Sequence, residues 1–384
     1  MPVLPDYQGR SLAGVMTSVA AHLAPAAGFT DVFGLPQARH YVVLLVDGLG
    51  WHNLAASLAH APYLAGIFGD GIRVTSSAPS TTGTAIPSLT TGVAPGLHGL
   101  VGYRFRPTPD AKGMNALSWE GGPDSLDAFR LAPTVFSRLA DWGVRVNDVS
   151  LTRFAQTPLT RIAFDGATFV PVENENDASG RVSQAVDVVC SGGPSLTYIY
   201  ERGLDHTGHP RGWRSQSWTT KLSLIDDAIE RFVTQTTGED VCLLITGDHG
   251  MVDVPETHKL FVEDDSRLGS DVELLEGEAR FRHIYTDRAS DVVKRWAKVL
   301  GERAWVYRRE EAIEMGLFGA YVSPAVRERL GDCLVAMRDD WAVVTHVWPG
   351  EAKLIGMHGS LTPEEMYVPL LIEHETRDDE GNRG

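Results

Sequence analysis

The chain has 384 residues, of which 43% are hydrophobic and 22% charged, a composition typical of a globular protein with a sizeable core. Its formal charge of −16, from 34 basic and 50 acidic residues, argues against binding a nucleic-acid polymer, which requires a basic surface. A small anionic substrate remains compatible with this charge if a local positive group, such as a metal cluster, holds it.

The N-terminal segment lacks a basic region followed by a long apolar stretch. The run SLAGVMTSVAAHLAPAAGF is interrupted by His22 and Pro25 and has the pattern of an amphipathic helix. We therefore expect neither a signal peptide nor a transmembrane segment, and no association with a membrane. A cytoplasmic location is the default expectation.

Three near-continuous apolar runs predict strands that are buried on both faces of a sheet. The runs are YVVLLVDG (41–48), SLTYIYE (195–201) and VCLLITGDHG (241–250). The helical patterns between them are TVFSRLADWG (134–143), GRVSQAVDVVC (180–190) and SQSWTTKLSLIDDAIERFVTQ (215–235). This alternation predicts an α/β fold, a three-layer sandwich in which helices cover a mostly parallel central sheet.

Residues 265–346 have a different pattern, which predicts a small α+β insertion. We expect strands at ARFRHIYTD and RAWVYRR, helices at ASDVVKRWAKVLG and REEAIEMGL, and a hairpin at CLVAMRDDWAVVTH. Residues 1–264 and 347–384 then form the catalytic α/β domain, to whose sheet YVPLLIE adds a strand. The last residues, TRDDEGNRG, have the composition of a disordered tail.

A carboxylate follows each of the three predicted strands. Asp47 ends the first strand, Asp205 lies a few residues beyond the second, and Asp248 follows the third. Ligands of open α/β sheets bind at the carboxyl ends of the strands. We therefore expect these three carboxylates to converge.

Three histidines accompany the carboxylates: His209 in DHTGH, His249 in GDHG and His358 in GMHG. Asp and His form a ligand set that zinc and manganese prefer. Six such ligands suffice for two divalent cations with positions left open for substrate, and the cations would neutralise the repulsion among the carboxylates. We predict two divalent metal ions, with zinc as the first choice and manganese or magnesium as alternatives.

The run SAPSTTGTAIPSLTTGVAPGLHG (77–99) concentrates hydroxyl groups before a predicted helix that begins near Gly83. Ser and Thr are common helix caps, but beside a bimetallic site one of them can attack phosphorus. A bound metal lowers the pKa of an alcohol, and a helix N-terminus accommodates a phosphorylated hydroxyl. At this point Ser80, Thr81, Thr82 and Thr84 are all candidates.

These residues resemble the alkaline phosphatase superfamily, most closely its nucleotide pyrophosphatase/phosphodiesterase branch. LVDGLG matches the family's strand ending in Val-Asp-Gly, DHGM matches its Asp-His-Gly-Met, and His358 with Gly359 matches its late His-Gly. LDHTGH matches its Pro-Asp-x-x-x-His signature, except that Leu204 replaces the proline. TGVAPGLHG matches a segment that, in the family, begins nine residues after the nucleophilic threonine. Five motifs in this order make the resemblance specific.

The resemblance implies a hydrolase of phosphodiester or pyrophosphate-type bonds, with Thr82 as its nucleophile and a small anionic phosphate ester as its substrate. The implied ligands of one metal are Asp205, His209 and His358, and those of the other are Asp47, Thr82, Asp248 and His249. In-line displacement at phosphorus would give a phosphothreonine, which water then hydrolyses.

Two positions depart from the family pattern. Thr81 stands where many members have a lysine, and Ala85 stands where many have an asparagine that donates to a phosphoryl oxygen. The backbone N–H of Gly83 or the hydroxyl of Thr84 is a candidate replacement for that donor. The loss of the asparagine weakens the diesterase assignment in particular.

The segment GYRFRPTPDAKGMNALSW (102–119) follows the nucleophile helix. If its start is extended, Tyr103 and Phe105 share one face, and Arg104 and Arg106 share the other. Tyr103, Phe105 or Trp119 can stack on a leaving group. Alternatively, Arg104 or Arg106 can pair with phosphate. We take Tyr103 and Arg104 as candidate substrate ligands, with an ordinary surface hairpin as an equal alternative.

Several rival functions share the same ligands. A phosphomonoesterase or a phosphonate hydrolase is the nearest rival, and a metal-dependent phosphoglycerate mutase with a serine nucleophile is a more distant one. A non-catalytic metal-binding protein is the rival from another class, favoured only by Ala85. The sequence indicates neither the leaving group nor an oligomeric state.

Overall fold

A computed structural model describes residues 1–175 and 178–374 of the chain. The strands, in chain order, are β1 (His40–Val46), β2 (Ile72–Thr75), β3 (Arg104–Phe105), β4 (Met114–Asn115), β5 (Arg145–Leu151), β6 (Thr168–Val172), β7 (Ser195–Glu201), β8 (Val241–Thr246), β9 (Val252–Asp253), β10 (Lys259–Phe261), β11 (Leu274–Glu278), β12 (Phe281–Tyr285), β13 (Ala304–Arg308), β14 (Cys333–Met337), β15 (Ala342–Val344), β16 (Gly356–Met357) and β17 (Tyr367–His374). The expected disordered tail, TRDDEGNRG, lies outside the described residues.

The α-helices, in chain order, are α1 (Ala13–Leu23), α2 (Trp51–Ala55), α3 (Pro62–Phe68), α4 (Thr82–Thr91), α5 (Pro95–His98), α6 (Val135–Asp141), α7 (Pro158–Ala163), α8 (Ala178–Val189), α9 (Gly203–Arg211), α10 (Gln216–Gln235), α11 (Ser266–Gly269), α12 (Ala289–Leu300), α13 (Arg309–Glu314), α14 (Pro324–Arg327) and α15 (Pro363–Met366). Across the part of the chain that the structure describes, no helix combines the length and the apolarity that crossing a bilayer requires.

The central sheet of the described chain has seven strands in the order β2-β17-β8-β1-β7-β5-β6. β1 pairs in parallel with β7 and β8, and β5 pairs in parallel with β6 and β7. β17, which contains YVPLLIE, is antiparallel to both of its neighbours. The mostly parallel sheet expected from the three apolar runs is therefore confirmed.

Alternate residues of the central strands pack against opposite layers of helices. Tyr41, Val43 and Leu45 of β1 belong to a core that includes residues of α1, α4 and α6. Val42 and Val46 belong to a second core that includes residues of α8 and α10. Each such side chain contributes about 1.5–3 kcal/mol through burial. The three-layer sandwich expected from the sequence is confirmed.

A second sheet, antiparallel and ordered β11-β12-β14-β13, lies within residues 274–337. Two ion pairs connect it to the rest of the chain. Arg280 pairs with Glu365 at 2.6 Å, and both side chains are fully buried. Arg104 pairs with Glu276 at 2.9 Å, also away from solvent. These pairs hold the edge of the second sheet against the carboxyl end of the main sheet.

The expected hairpin at CLVAMRDDWAVVTH is wrong. Its halves form β14 and β15, but β14 pairs with β12 along one edge and with β13 along the other. Because both edges of β14 are occupied, β15 pairs in parallel with β10 instead. The turn at Asp339, whose φ is +48°, therefore connects two sheets. The domain boundaries at 264/265 and 346/347 stay a prediction.

Candidate active site

The three predicted carboxylates lie at the carboxyl ends of three adjacent strands. Asp47 directly follows β1, which is the middle strand, and Asp248 lies just beyond β8. Asp205 lies in the first turn of α9, which begins just after β7. The N–H of Asp205 donates to the carbonyl oxygen of Asp47 at 3.1 Å. Parallel pairing thus brings together residues that are distant in sequence.

Asp47, Asp248 and His249 form one group of potential metal ligands. One ligand atom from each lies within 4.8 Å of the others, and all three residues are buried. His249 Nε2 lies 3.4 Å from Asp47 Oδ1 and 3.5 Å from Asp248 Oδ2. This is the close grouping of an imidazole and two carboxylates that suits a divalent cation.

Asp205, His209 and His358 form a second group of the same kind. Asp205 and His209 are four residues apart on α9, so they share a helix face, and Asp205 Oδ2 lies 3.3 Å from His209 Nε2. His358 Nε2 lies 3.8 Å from Asp205 Oδ1. The rings of His249 and His358 stack with centroids 3.6 Å apart, so the two groups adjoin.

A backbone carbonyl fixes each of the three histidines. The Nδ1 atoms of His209, His249 and His358 lie 2.8, 3.0 and 3.1 Å from the carbonyl oxygens of Gly356, Gly250 and Ser80, respectively. A carbonyl oxygen can only accept, so Nδ1 carries the proton and donates it. In the neutral ring, each Nε2 then carries the lone pair and faces the cluster, which is the arrangement found in metal-binding histidines.

Gly48 allows the two groups to come together. Its φ is +77°, a conformation that glycine adopts at no steric cost. Its N–H donates to Asp248 Oδ1 at 3.0 Å, and a Cβ atom at this position would lie 3.1 Å from the Cβ of Asp205. Gly48, the first glycine of LVDGLG, therefore both orients Asp248 and leaves room for α9.

Thr82 is the first residue of α4, close to the predicted start of this helix. Its Oγ1 lies 3.3 Å from His249 Nε2 and 3.5 Å from Asp47 Oδ1. Thr81 is the N-cap and has extended backbone angles. The N–H of Ser80 donates to the carbonyl oxygen of Gly359 at 3.1 Å, so the nucleophile turn is tied to the loop of His358.

The acidic groups of the site perturb one another. Burial raises the pKa of Asp47 well above its ordinary value, and repulsion from Asp248 and Asp205 raises it further. Burial acts the same way on Asp205, but His209 and His358 outweigh it and hold the pKa of Asp205 below its ordinary value. Burial would lower the pKa of His209, yet the adjacent Asp205 raises it to about 9. Such a cluster favours added positive charge.

The residues of the site fit a pair of divalent cations. Asp205 Oδ1 and Asp248 Oδ2 are buried and have no hydrogen-bond partner among the described residues, whereas buried polar atoms are normally paired. The donor set consists of carboxylate oxygens and imidazole nitrogens, which suit zinc or manganese. A bound metal would be the missing partner of the unpaired buried oxygens and of the oriented Nε2 atoms.

Thr82 lies in the wall of a pocket of about 840 Å³. Tyr103 lines the same pocket, as its predicted contact with substrate requires. Arg104 also lines it, but its Nε donates to Glu276 Oε2 at 2.9 Å and its guanidinium lies 3.5 Å from the ring centre of Trp348. Arg104 is therefore already paired, which limits the charge it can offer to a phosphate.

Gly83 and Thr84 lie in the first turn of α4 beside the nucleophile. Neither is among the residues that line the pocket. The hydroxyl of Thr84 is buried and has no hydrogen-bond partner within the described ranges. Ala85 is fully buried in the core on the α4 side of the sheet. That Gly83 or Thr84 substitutes for the missing asparagine as a hydrogen-bond donor stays a prediction.

Two further side chains reach the site without having been predicted. The hydroxyl of Tyr200 donates to Asp47 Oδ2, and Glu278 Oε2 lies 3.6 Å from His358 Nδ1. Burial raises the pKa of Glu278 well above its ordinary value, although a hydrogen bond with Thr81 opposes this. Glu278 comes from β11, so the second sheet contributes to the pocket. The strand LLEGE contains two glutamates, Glu276 and Glu278, and no spacing in it distinguishes the one that reaches the site.

Asp148 is a third unpredicted residue of the pocket. It lies in β5, is 1% exposed, and lines the pocket together with Ser150. The hydroxyl of Ser150 donates to Asp148 Oδ1. Burial raises the pKa of Asp148 to about 7, against the opposing effect of that hydrogen bond. A lone aspartate inside the strand RVNDVSL was the available signal.

We expect Asp148→Asn to become more stable relative to the unmodified chain as pH rises. The pKa of Asp148 is higher folded than unfolded, so its contribution to the free energy of unfolding is fully present below about pH 4 and is lost as pH rises to about 7. Asparagine does not titrate. Thermal melts of both proteins at about pH 5 and pH 8 measure this. The Tm of the variant minus the Tm of the unmodified chain should be larger at the higher pH. An unchanged difference would contradict the burial of an ionising group here.

Comparison with known proteins identifies the family. Residues 41–361 match the type I phosphodiesterase / nucleotide pyrophosphatase family. A curated relative, GPI ethanolamine phosphate transferase 2 of Candida albicans, is 23% identical over 236 residues, which are 59% of this chain and 25% of the relative. The chain thus spans about a quarter of the length of the curated relative it matches.

Solved structures share the fold. Murine ectonucleotide pyrophosphatase / phosphodiesterase 5, an inactive threonine-to-alanine variant in complex with AMP, has a TM-score of 0.69 at 19% identity and covers 86% of this chain and 87% of its own. Phosphonoacetate hydrolase from Sinorhizobium meliloti 1021, in complex with phosphonoacetate, has a TM-score of 0.67 at 18% identity and covers 90% and 92%. With the match over residues 41–361, the resemblance seen in the sequence is confirmed: the chain belongs to the type I phosphodiesterase / nucleotide pyrophosphatase family.

Proposed function

We propose that this chain hydrolyses phosphodiester or pyrophosphate-type bonds through a phosphothreonine at Thr82, with two divalent cations as cofactors. The observation that carries the proposal is the position of Thr82 Oγ1, 3.3 Å from His249 Nε2 and 3.5 Å from Asp47 Oδ1. A threonine hydroxyl so close to a cluster of potential metal ligands, at the N-terminus of α4, is placed to act as a nucleophile.

The proposed ligands fall into two sets. One cation would be held by Asp205, His209 and His358, and the other by Asp47, Thr82, Asp248 and His249. Bound there, the cations supply Lewis acidity, which lowers the pKa of the threonine hydroxyl and neutralises charge on the phosphoryl oxygens. Zinc is our first choice because the donor set mixes imidazole and carboxylate.

Thr82 would attack in line with the departing ester oxygen. The bond from Thr82 Oγ1 to phosphorus forms as the bond to the leaving oxygen breaks. Thr82 loses its hydroxyl proton and the leaving oxygen takes up one proton, so the step is balanced. Water then cleaves the phosphothreonine and regenerates the hydroxyl. The Nδ1 contacts of the histidines and the Tyr200 contact with Asp47 hold the surrounding groups in place during both steps.

A small phosphate ester is the proposed substrate class. The pocket of about 840 Å³ has the size of a small-molecule site. The similar structures are described as complexes with AMP and with phosphonoacetate, both small anions. Ala85, in place of the family's asparagine, leaves a phosphonate hydrolase as the second candidate.

The proposal is tested by a hydrolysis screen with metal content measured on the same sample. The substrates are bis(para-nitrophenyl) phosphate, para-nitrophenyl phosphate, dinucleotides, sugar nucleotides and phosphonoacetate. We expect the highest kcat/KM with a diester or a pyrophosphate, and acid quenching should trap phosphate on the peptide that contains Thr82. A preference for the monoester or for phosphonoacetate would reassign the substrate, and no turnover by metal-loaded protein would refute the proposal.

Removal of divalent cations is expected to lower the Tm. Without them, three carboxylates lie close together in a buried cluster, where burial and then repulsion from Asp248 and Asp205 raise the pKa of Asp47. A cation at 100 times its Kd would stabilise the fold by about 2.7 kcal/mol. Calorimetry in EDTA and after addition of zinc, manganese or magnesium measures this, and Asp205→Asn serves as the control with a weakened response. An identical Tm in EDTA and in every metal would contradict the assignment.

A further inference from the structure

One face of the central sheet carries polar side chains into the pocket. Asp148 of β5 and Tyr198 of β7 are direct partners in the parallel register. Because side chains alternate along a strand, Ser150 and Tyr200 lie on the same face as these two. All four line the pocket that also contains Thr82. The sheet therefore forms a floor that extends from Asp47 of the proposed metal site to β5.

Two polar atoms of this floor lack partners. Asp148 Oδ2 and the hydroxyl oxygen of Tyr198 are buried and make no hydrogen bond within the described part of the chain. Leaving such atoms unpaired is unfavourable, so buried polar groups are normally satisfied. Asp148 is 1% exposed and Tyr198 is 0% exposed, which excludes surface solvation as the explanation. Their position in the pocket points to a ligand as the missing partner.

Aromatic rings lie beside Tyr198 and Tyr200. Phe164 lies against Tyr198 with ring centroids 4.9 Å apart, and Phe154 lies 6.0 Å from Tyr200. All of these rings line the pocket. A ligand group here would therefore meet apolar ring surface together with two hydrogen-bonding atoms.

We propose that Asp148 and Tyr198 form a subsite that binds a hydroxyl group on the organic ester portion of the substrate, as in a sugar or cyclic polyol phosphate. This assignment rests on the proposed function, because it places the phosphorus near Thr82. A hydroxyl both donates and accepts, so it can satisfy a carboxyl oxygen and a phenolic hydroxyl together. The ring carbons of a sugar or polyol suit the aromatic walls.

Other ligand groups fit the subsite less well. A wholly apolar group would leave both polar atoms unpaired. A second phosphate would face the carboxyl of Asp148, while Arg153 and Arg202, which also line the pocket, are each paired with Glu175 at 2.8 and 3.2 Å. An ammonium group could donate to the carboxyl of Asp148 but could not accept a hydrogen bond from the Tyr198 hydroxyl.

The test uses three para-nitrophenyl phosphodiesters whose second ester group is cyclohexyl, hydroxycyclohexyl or aminocyclohexyl. For the metal-loaded protein we expect kcat/KM for the hydroxycyclohexyl ester to exceed that for the cyclohexyl ester by about 10- to 100-fold. Tyr198→Phe, which removes one oxygen and keeps the ring, and Asp148→Ala should each reduce that ratio toward one. Tyr307→Phe, on β13, should leave it unchanged. A ratio near one in the unmodified chain, an unaltered ratio in both variants, or a preference for the aminocyclohexyl ester would overturn the subsite.

Failure of the proposed function is recognised separately. If metal-loaded protein turns over none of the three esters, binding is measured instead by titration calorimetry with hydroxycyclohexyl methyl phosphate and cyclohexyl methyl phosphate, using Thr82→Ala. Tighter binding of the hydroxylated compound, lost in the double variant with Tyr198→Phe, would support the subsite even without catalysis. Equal affinity would overturn it. Melting curves of each variant establish that it is folded.

Discussion

Thr82→Ala is expected to lower kcat/KM for phosphodiesters by at least about 10⁴-fold, the scale seen when a covalent nucleophile is removed. The substitution removes the proposed attacking atom, Thr82 Oγ1, which lies 3.3 Å from His249 Nε2. Six ligands outside Thr82 remain for the two cations. Metal content is therefore expected to stay at two equivalents. Steady-state kinetics and elemental analysis on the same preparation measure both effects.

Two controls separate nucleophilic loss from damage to the fold. Thr90→Ala removes a buried hydroxyl from the same helix, remote from the ligand groups, and should retain activity. Thr81→Ala tests the neighbouring hydroxyl, which hydrogen-bonds with Glu278; its effect should be far smaller than that of Thr82→Ala. If Thr81→Ala were inactive while Thr82→Ala kept full turnover, the nucleophile would have to be reassigned.

His209→Ala is expected to remove one of the two metal equivalents and to lower kcat/KM by at least about 100-fold. Removing a side chain that only hydrogen-bonds to a metal ligand typically lowers metal affinity or activity 10- to 100-fold. His209 is itself a proposed ligand, and its Nε2 lies 3.3 Å from Asp205 Oδ2. Loss of the imidazole also removes the charge that holds down the pKa of Asp205. Elemental analysis after gel filtration and kinetics at saturating metal measure the two consequences.

His206→Ala is the matched control on the same helix. His206 is exposed, and its Nδ1 lies 2.7 Å from the Arg202 guanidinium and outside both ligand groups. This variant should keep both metal equivalents. Equal metal loss in His206→Ala and His209→Ala, or full metal content in His209→Ala, would contradict the ligand assignment.

The main sheet could be predicted because its strands are buried on both faces. The runs at β1, β7 and β8 are nearly continuous in apolar residues, and the amphipathic helix α10 lies between β7 and β8 in the chain. The second sheet was less predictable, since its strands are short and their pairing depends on which edges are free. β14 and β15 have the local pattern of a hairpin, yet β12 and β13 occupy both edges of β14.

The convergence of the six potential ligands could be predicted because each follows a strand or lies in a recognisable motif. Asp148 and Glu278 could not, because neither belongs to a recognisable motif and only the pairing of the strands in the folded sheets brings them to the pocket. The fixing of the histidines by backbone carbonyls is equally invisible in the sequence. Arg104 was one candidate ligand for phosphate, and its pairing with Glu276 could not be predicted because it depends on the second sheet.

The central claim is that two divalent cations sit side by side next to Thr82. Crystals of metal-loaded protein, measured at the absorption edge of the bound metal, test it most directly. The account predicts two anomalous peaks, one among Asp205, His209 and His358 and one among Asp47, Asp248 and His249, with Thr82 Oγ1 coordinating the second. Metal-loaded crystals with the six side chains in place and no anomalous density between them would contradict it.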